Sequence, residues 1–187
     1  MMKNLLKFLM IIFCFSCKKV KVEDKIPYTV YTISDHKSTY DIERVNSHRI
    51  EGVAKFSSSC EYELTENIGQ INKLIGLSSG INHHENSMRI GWEYADGVFK
   101  LFAYWYVDGT RGESYLTSVV TDEKFEFVVE VKKDEFYVNI NGVEFQQEHN
   151  MDSLGESFLL FPYFGGKAKF PGSVHGDKKC EIYIHMF

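Results

Sequence analysis

Two dipeptides, Asp96-Gly97 and Asn141-Gly142, constrain this fold more than any bulk property does. Each stands between runs that alternate apolar and polar residues. A two-residue hairpin loop of type I′ needs positive φ at both central positions, which Asp, Asn and Gly tolerate best. The flanking runs have period 2. Phe125, Phe127, Val129 and Val131 fall on one face, and Glu126, Glu130 and Lys132 mostly on the other. After a turn at Lys133-Asp134, Phe136, Val138 and Ile140 alternate with Tyr137 and Asn139. Ser157 to Phe164 is apolar on both faces, the pattern of a central strand, and Ile182, Ile184 and Met186 supply a closing one. Only Leu64 to Leu77 reads equally as helix or strand. Many short strands with hairpin turns predict an all-β antiparallel β-sandwich, a jelly roll first. An eight-stranded barrel comes second, since the Gly-x-Trp entry of such barrels is missing near its start.

The first residues are of another kind. Lys3 and Lys7 precede an unbroken apolar run, Phe8 to Phe15, too short for the roughly 20 residues of a spanning helix. A basic start, a short apolar core and the small residue Ser16 predict a signal peptide over 1–16. Ser16-Cys17 resembles a lipobox, with Cys14 standing where Leu, Val or Ile is usual. That resemblance implies diacylglyceryl transfer to Cys17, with lipid burial contributing about 0.8 kcal/mol per CH₂. Residues 18–25 (KKVKVEDK) then read as a charged tether closed by Pro27, and 28–187 as one domain. The expected location is the cell envelope, lipid-anchored, at the outer membrane or cell surface. Loss of Lys3 and Lys7 takes the formal charge from −5 to −7, which argues against a nucleic-acid partner. Cys60 and Cys180 either pair in an oxidising compartment or remain two buried thiols. No CxxC or His-spaced zinc pattern occurs, so neither metal nor cofactor is expected.

The hairpin Ser87 to Tyr106 carries the candidate site. With Asp96-Gly97 as its loop, Tyr94, Trp92, Ile90 and Met88 lie opposite Phe99, Leu101, Ala103 and Trp105 on a core face. The other face sets Glu93 against Lys100, Gly91 against Phe102, Arg89 against Tyr104 and Ser87 against Tyr106. That places three aromatic rings beside an arginine, with the Gly91 backbone open to close approach. Aromatic faces stack on sugar C–H surfaces, and arginine grips carboxylate through two parallel hydrogen bonds. A second packing layer, with Arg89 in a cation–π contact, is the competing expectation. Upstream, His83, His84, Glu85 and Asn86 form a polar cluster. Adjacent strand residues diverge, so unless the segment bends only one histidine, taken as His84, joins the site with Asn86. Downstream, Phe161 to His175 runs from a strand into a Gly- and Lys-rich loop, where Tyr163 and Lys167 join the binding set and Lys169 and His175 add positive charge.

Three stretches carry a family resemblance: Ile71-Asn-Lys-Leu-Ile-Gly-Leu77, His83-His-Glu-Asn-Ser-Met-Arg-Ile-Gly-Trp92 and Phe161-Pro-Tyr-Phe-Gly-Gly166. Together they resemble a group of uncharacterised bacterial lipoproteins that look like concanavalin A-like lectin/glucanase jelly rolls, over roughly Arg49 to the C-terminus. The resemblance implies that fold and no particular activity. A looser likeness links Arg89 and Tyr163-Phe164-Gly165-Gly166 to jelly-roll lyases of the alginate lyase type. Their Gln-Ile-His strand is missing here, and Gly165 stands in place of a lysine.

The leading expectation is therefore an envelope lipoprotein binding carbohydrate, including anionic polysaccharide, on a concave β-face through Arg89, Phe102, Tyr104 and Tyr106. A lyase using His84, Arg89 and Tyr104 on uronate polymers is the alternative, and docking of a protein partner the third. A glucanase needs two carboxylates about 5–10 Å apart. This hairpin supplies only Glu93, with Lys100 placed to pair with it.

Overall fold

In a computed structural model of the chain, residues 26–34, 42–64, 70–165 and 169–187 are described. The expected signal peptide, Cys17 and the tether lie outside them, as does Lys167. Among the described residues no helix is long and apolar enough to cross a membrane.

Among the described residues two antiparallel sheets of six strands pack face to face. The first runs β1 (Thr29–Ile33), β12 (Cys180–Met186), β3 (Arg49–Phe56), β8 (Phe125–Val131), β9 (Glu135–Ile140) and β10 (Val143–Glu148). The second runs β2 (Glu43–Val45), β11 (Ser157–Leu160), β4 (Asn72–Ser79), β5 (Ser87–Ala95), β6 (Val98–Val107) and β7 (Thr110–Val119). Both expected hairpin loops have positive φ at both positions, 57° and 78° at Asp96-Gly97 and 51° and 84° at Asn141-Gly142. A third dipeptide of this type, Asp108-Gly109, went unread in the sequence; its φ values of 48° and 76° turn β6 into β7.

Alternation does what the pattern predicts. Phe125, Phe127, Val129 and Val131 are buried, as are Phe136, Val138 and Ile140 from the neighbouring strand. Against them pack Trp92, Phe99 and Leu101 of the other sheet. Phe56 stacks on Phe99 with ring centroids 4.3 Å apart and tilts against Trp92 at 5.0 Å. Burying such rings contributes roughly 1.5–3 kcal/mol each from transfer alone. Cys60 and Cys180 are both fully buried and joined as a disulfide, with Cα atoms 4.5 Å apart. It ties the short turn Ser58–Cys60 to the start of β12.

One open reading is resolved and two expectations need correction. In the stretch open between helix and strand, Leu64, Gln70 and Ile71 lie outside any strand and β4 begins at Asn72, running to Ser79. The run from Ser157 leaves the sheet after Leu160, because Pro162 has no N–H to give a ladder. Tyr163 rejoins β4 only by an isolated bridge to Lys73. Finally, β12 does not close its sheet: β1 pairs outside it, and Met186 is exposed while Ile182 and Ile184 are buried.

Candidate functional site

Every pair expected for the β5–β6 hairpin is present, from Tyr94 opposite Phe99 to Ser87 opposite Tyr106. Because side chains alternate, register carries the outer face across the sheet. One row runs Gly76, Arg89, Tyr104, Glu113; the next runs Ser78, Ser87, Tyr106, Arg111. A third runs Lys73, Gly91, Phe102, Tyr115. Lys73 reaches this face through a bulge between Lys73 and Ile75. The extra residue lets Leu74 and Ile75 both bury while the lysine turns outward.

Cations converge on the Tyr104 ring. Lys73 Nζ lies 4.6 Å from its centroid and the Arg111 guanidinium carbon 5.8 Å. Arg89, which only the competing packing alternative set in a cation–π contact, donates from Nη2 to the Phe161 carbonyl at 2.7 Å. Among the described residues its Nε has no hydrogen-bond partner, although Arg89 is only 7% exposed. Among the described residues no carboxylate pairs with Arg89 or Lys73, and Glu113 meets Arg111 at 2.9 Å. The crowding of cations and the burial shift the proton affinities of these groups. Burial, then the charges of Arg89 and Arg111, pulls the Lys73 amine down to about 8. Burial lowers Arg89 to about 10. Tyr104 is pushed up by burial and then by its hydrogen bond to Tyr106, the two hydroxyls being 3.4 Å apart.

The expected centre of the site is therefore recessed. Arg89 and Tyr104 are buried, at 7% and 3% exposure, beneath the flanking cations and the Phe161–Gly165 segment. Exposed surface belongs to His84, Tyr115 and Tyr163, with Phe102 and Tyr106 half-buried. Gly91 is not open to a ligand: a Cβ there would meet the Ile71 side chain at 2.5 Å and Tyr104 Cβ at 3.3 Å.

The segment bends, so the histidines do not diverge. Residues 83–85 form a turn, with Glu85 N–H donating to the Asn82 carbonyl at 3.0 Å, so the His83 and His84 rings meet at 4.2 Å. His84 lies 5.0 Å from the Tyr106 ring. Burial, followed by His84, Arg89 and Lys73, holds His83 down at about 4, which keeps it neutral. Asn86 is a brace: its Oδ1 accepts from Asp108 N–H at 3.1 Å, fixing the loop to the β6–β7 turn. Other expected members lie elsewhere. His175 Nε2 contacts the Glu61 carboxylate at 2.9 Å. Lys100 bonds Asp96 at 2.7 Å and not Glu93, whose carboxyl is raised chiefly by burial. Glu113, Arg111 and Tyr115 went unforeseen, since they ride on β7, and the Asp108-Gly109 signal was the one that would have revealed them. Among the described residues no group of three or more His, Cys, Asp or Glu could hold a metal.

These features define a two-sheet jelly-roll sandwich with a cationic, tyrosine-rich outer face on one sheet. The solved structures it resembles share that fold. A marine alginate lyase from Zobellia galactanivorans superposes with TM-score 0.51 at 10% identity, over 79% of this chain and 64% of the lyase. An endo-1,3-β-glucanase (laminarinase) from Thermotoga petrophila gives 0.55 at 13% identity, over 85% of this chain and 75% of that one. For a laminarinase from Flavobacterium sp. UMI-01 the values are 0.53, 12%, 84% and 76%. This chain thus spans less than two thirds of the lyase's length. No protein-family model and no curated protein sequence matches the chain.

Proposed function

We propose that this protein is an envelope-anchored lipoprotein whose Arg89-centred sheet face binds acidic polysaccharide. One observation carries the reading: Lys73 and Arg111 lie over the Tyr104 ring, Arg89 stands opposite Tyr104 in the sheet, and no described carboxylate forms an ion pair with Arg89 or Lys73, Glu113 acting on Lys73 only as a minor charge behind burial, Arg89 and Arg111. A buried cation without a counter-ion is costly, and a ligand carboxylate approaching this face offsets that cost. Tyr106, Tyr115 and Tyr163 offer ring faces for sugar C–H surfaces around it. The solved structures of similar fold are named for an alginate lyase and for laminarinases, which supports a glycan as partner. Anchoring through Cys17 rests on the lipobox-like start alone.

The test is a glycan array with purified protein and its Arg111→Ala and Tyr163→Ala variants. Binding to uronate polymers that falls with salt and with either substitution is expected. Equal binding of neutral and acidic glycans would refute the charge argument, and blank arrays would favour a protein partner.

A second reading, a lyase acting on uronate polymers, is favoured by the neutral His83 held near Arg89. That imidazole is free to accept a proton although lowering makes it a weak base, and Arg89 supplies positive charge for a carboxylate whose neighbouring proton is removed. Turnover generates an unsaturated product absorbing in the ultraviolet; none from alginate, pectate or glycosaminoglycans leaves a binding protein.

A further inference from the structure

Beside the charged cluster lies a device with no charge of its own. Asn72 of β4 is fully buried, and its side chain sits in a polar network. Its Nδ2 donates to the Tyr62 hydroxyl at 2.9 Å, and its Oδ1 accepts from Gly165 N–H at 3.2 Å. The Tyr62 hydroxyl also accepts from Tyr94 N–H at 3.3 Å, which ties the network to β5. Buried amides keep such bonds because losing a partner costs more than the bond itself contributes.

Gly165 matters because of what covers it. A Cβ at that position would fall 1.9 Å from Tyr163 Cε1 and 2.3 Å from Cδ1, so the tyrosine ring lies folded back over the glycine. The backbone of Tyr163 is fixed separately, exchanging two hydrogen bonds of 2.9 Å with Lys73. Upstream, the Phe161 carbonyl takes the Arg89 guanidinium. Phe161–Gly165 is thus a strap pinned at three points to neighbouring positions of β4 and β5. The exposed ring of Tyr163 is the part it presents outward.

We infer that Asn72 is a positioning residue for the glycan site: by holding Gly165 N–H it sets the platform on which the Tyr163 ring rests, without touching ligand itself. The inference rests on the glycan-binding reading for its ligand and on Asn72, Gly165 and Tyr163 for its geometry. Adjacent residues of one strand then serve the site differently. Lys73 gives charge at the face, and Asn72 gives the aromatic platform its place.

The experiment uses alginate oligosaccharides as probe and laminarin oligosaccharides as neutral control, with amide exchange measured on the free protein. Asn72→Ala removes the pin, and Gly165→Ala displaces the ring while leaving Asn72 intact. Each is expected to weaken alginate binding about as much as Tyr163→Ala does, by roughly fivefold or more. Because both act through one side chain, neither adds to the loss already present in Tyr163→Ala. In Asn72→Ala, exchange rises at Gly165 and Tyr163 while β8 and β9 stay protected. A further loss in the Asn72→Ala, Tyr163→Ala double variant, unchanged exchange at Gly165, or protection lost across both sheets each overturns the positioning role. Should wild type bind neither probe, the glycan reading falls on its own, and the exchange data still decide whether Asn72 holds the strap. If Asn72→Ala fails to fold, Gly165→Ala carries the binding arm.

Discussion

Arg89→Met is the sharpest perturbation available, because fold and function respond to it in opposite directions. The guanidinium is buried, makes one hydrogen bond to the Phe161 carbonyl and leaves Nε unpartnered. Its lowering from 12.5 to about 10 corresponds to about 3 kcal/mol acting against the charged form, at 1.36 kcal/mol for each factor of ten. At neutral pH, below both values, that whole cost is present. Against its relief stands the lost charged hydrogen bond, worth roughly 1.5–3 kcal/mol. Methionine fills much of the same volume with an unbranched, adaptable side chain. The balance is a protein between unchanged and about 2 kcal/mol more stable, within the range seen when apolar residues replace buried charges. Binding of acidic glycan should fall at least about tenfold. Urea denaturation at constant m reads the first quantity and titration with alginate oligosaccharides the second. A loss of more than about 2 kcal/mol, or undiminished binding, refutes the reasoning that Arg89 is an uncompensated charge kept for a ligand.

Lys73 provides a pH signature. Its folded value of about 8 lies below its ordinary 10.5, so the unfolded chain holds the proton more tightly. Stability from this group should therefore rise between pH 8 and about 10, while affinity for acidic glycan declines as the amine discharges. Above that window the raised Tyr62 and Tyr104 hydroxyls reverse the trend, since the unfolded chain ionises first. Melting temperatures across pH 7–11, flat in Lys73→Met up to pH 10, check this. Replacing Cys60 and Cys180 by Ala opens a link spanning 120 residues and should cost about 5 kcal/mol in the chain-entropy model, read as a lower urea midpoint. Gly76→Ala would bring a Cβ to 2.3 Å from the Met88 carbonyl oxygen. A strand backbone must shift to admit it, with a loss of about 1–3 kcal/mol by thermal denaturation.

Local rules were enough for the sandwich and for the hairpin register. Side-chain alternation and the φ demands of Asp96-Gly97 and Asn141-Gly142 act within a few residues, so Arg89 opposite Tyr104 is written in the sequence. Asp108-Gly109 carried equal information, and with it Arg111, Glu113 and Tyr115 come onto the same face. Pro162 likewise marks where β11 must end.

Long-range packing decided the rest. Burial of Arg89, the Lys73 bulge, the Cys60–Cys180 link and the Asn72–Gly165 contact join positions far apart in sequence, and no periodicity reports them. The His83–His84 turn shows the same limit at short range: strand geometry would part the rings, and the hydrogen bonds of a turn bring them together. Sequence alone determined which residues of the β5–β6 hairpin share a face. Only the tertiary structure decided which of them are left without counter-charges, because solvation and charge pairing depend on neighbours that the fold, not the chain order, supplies.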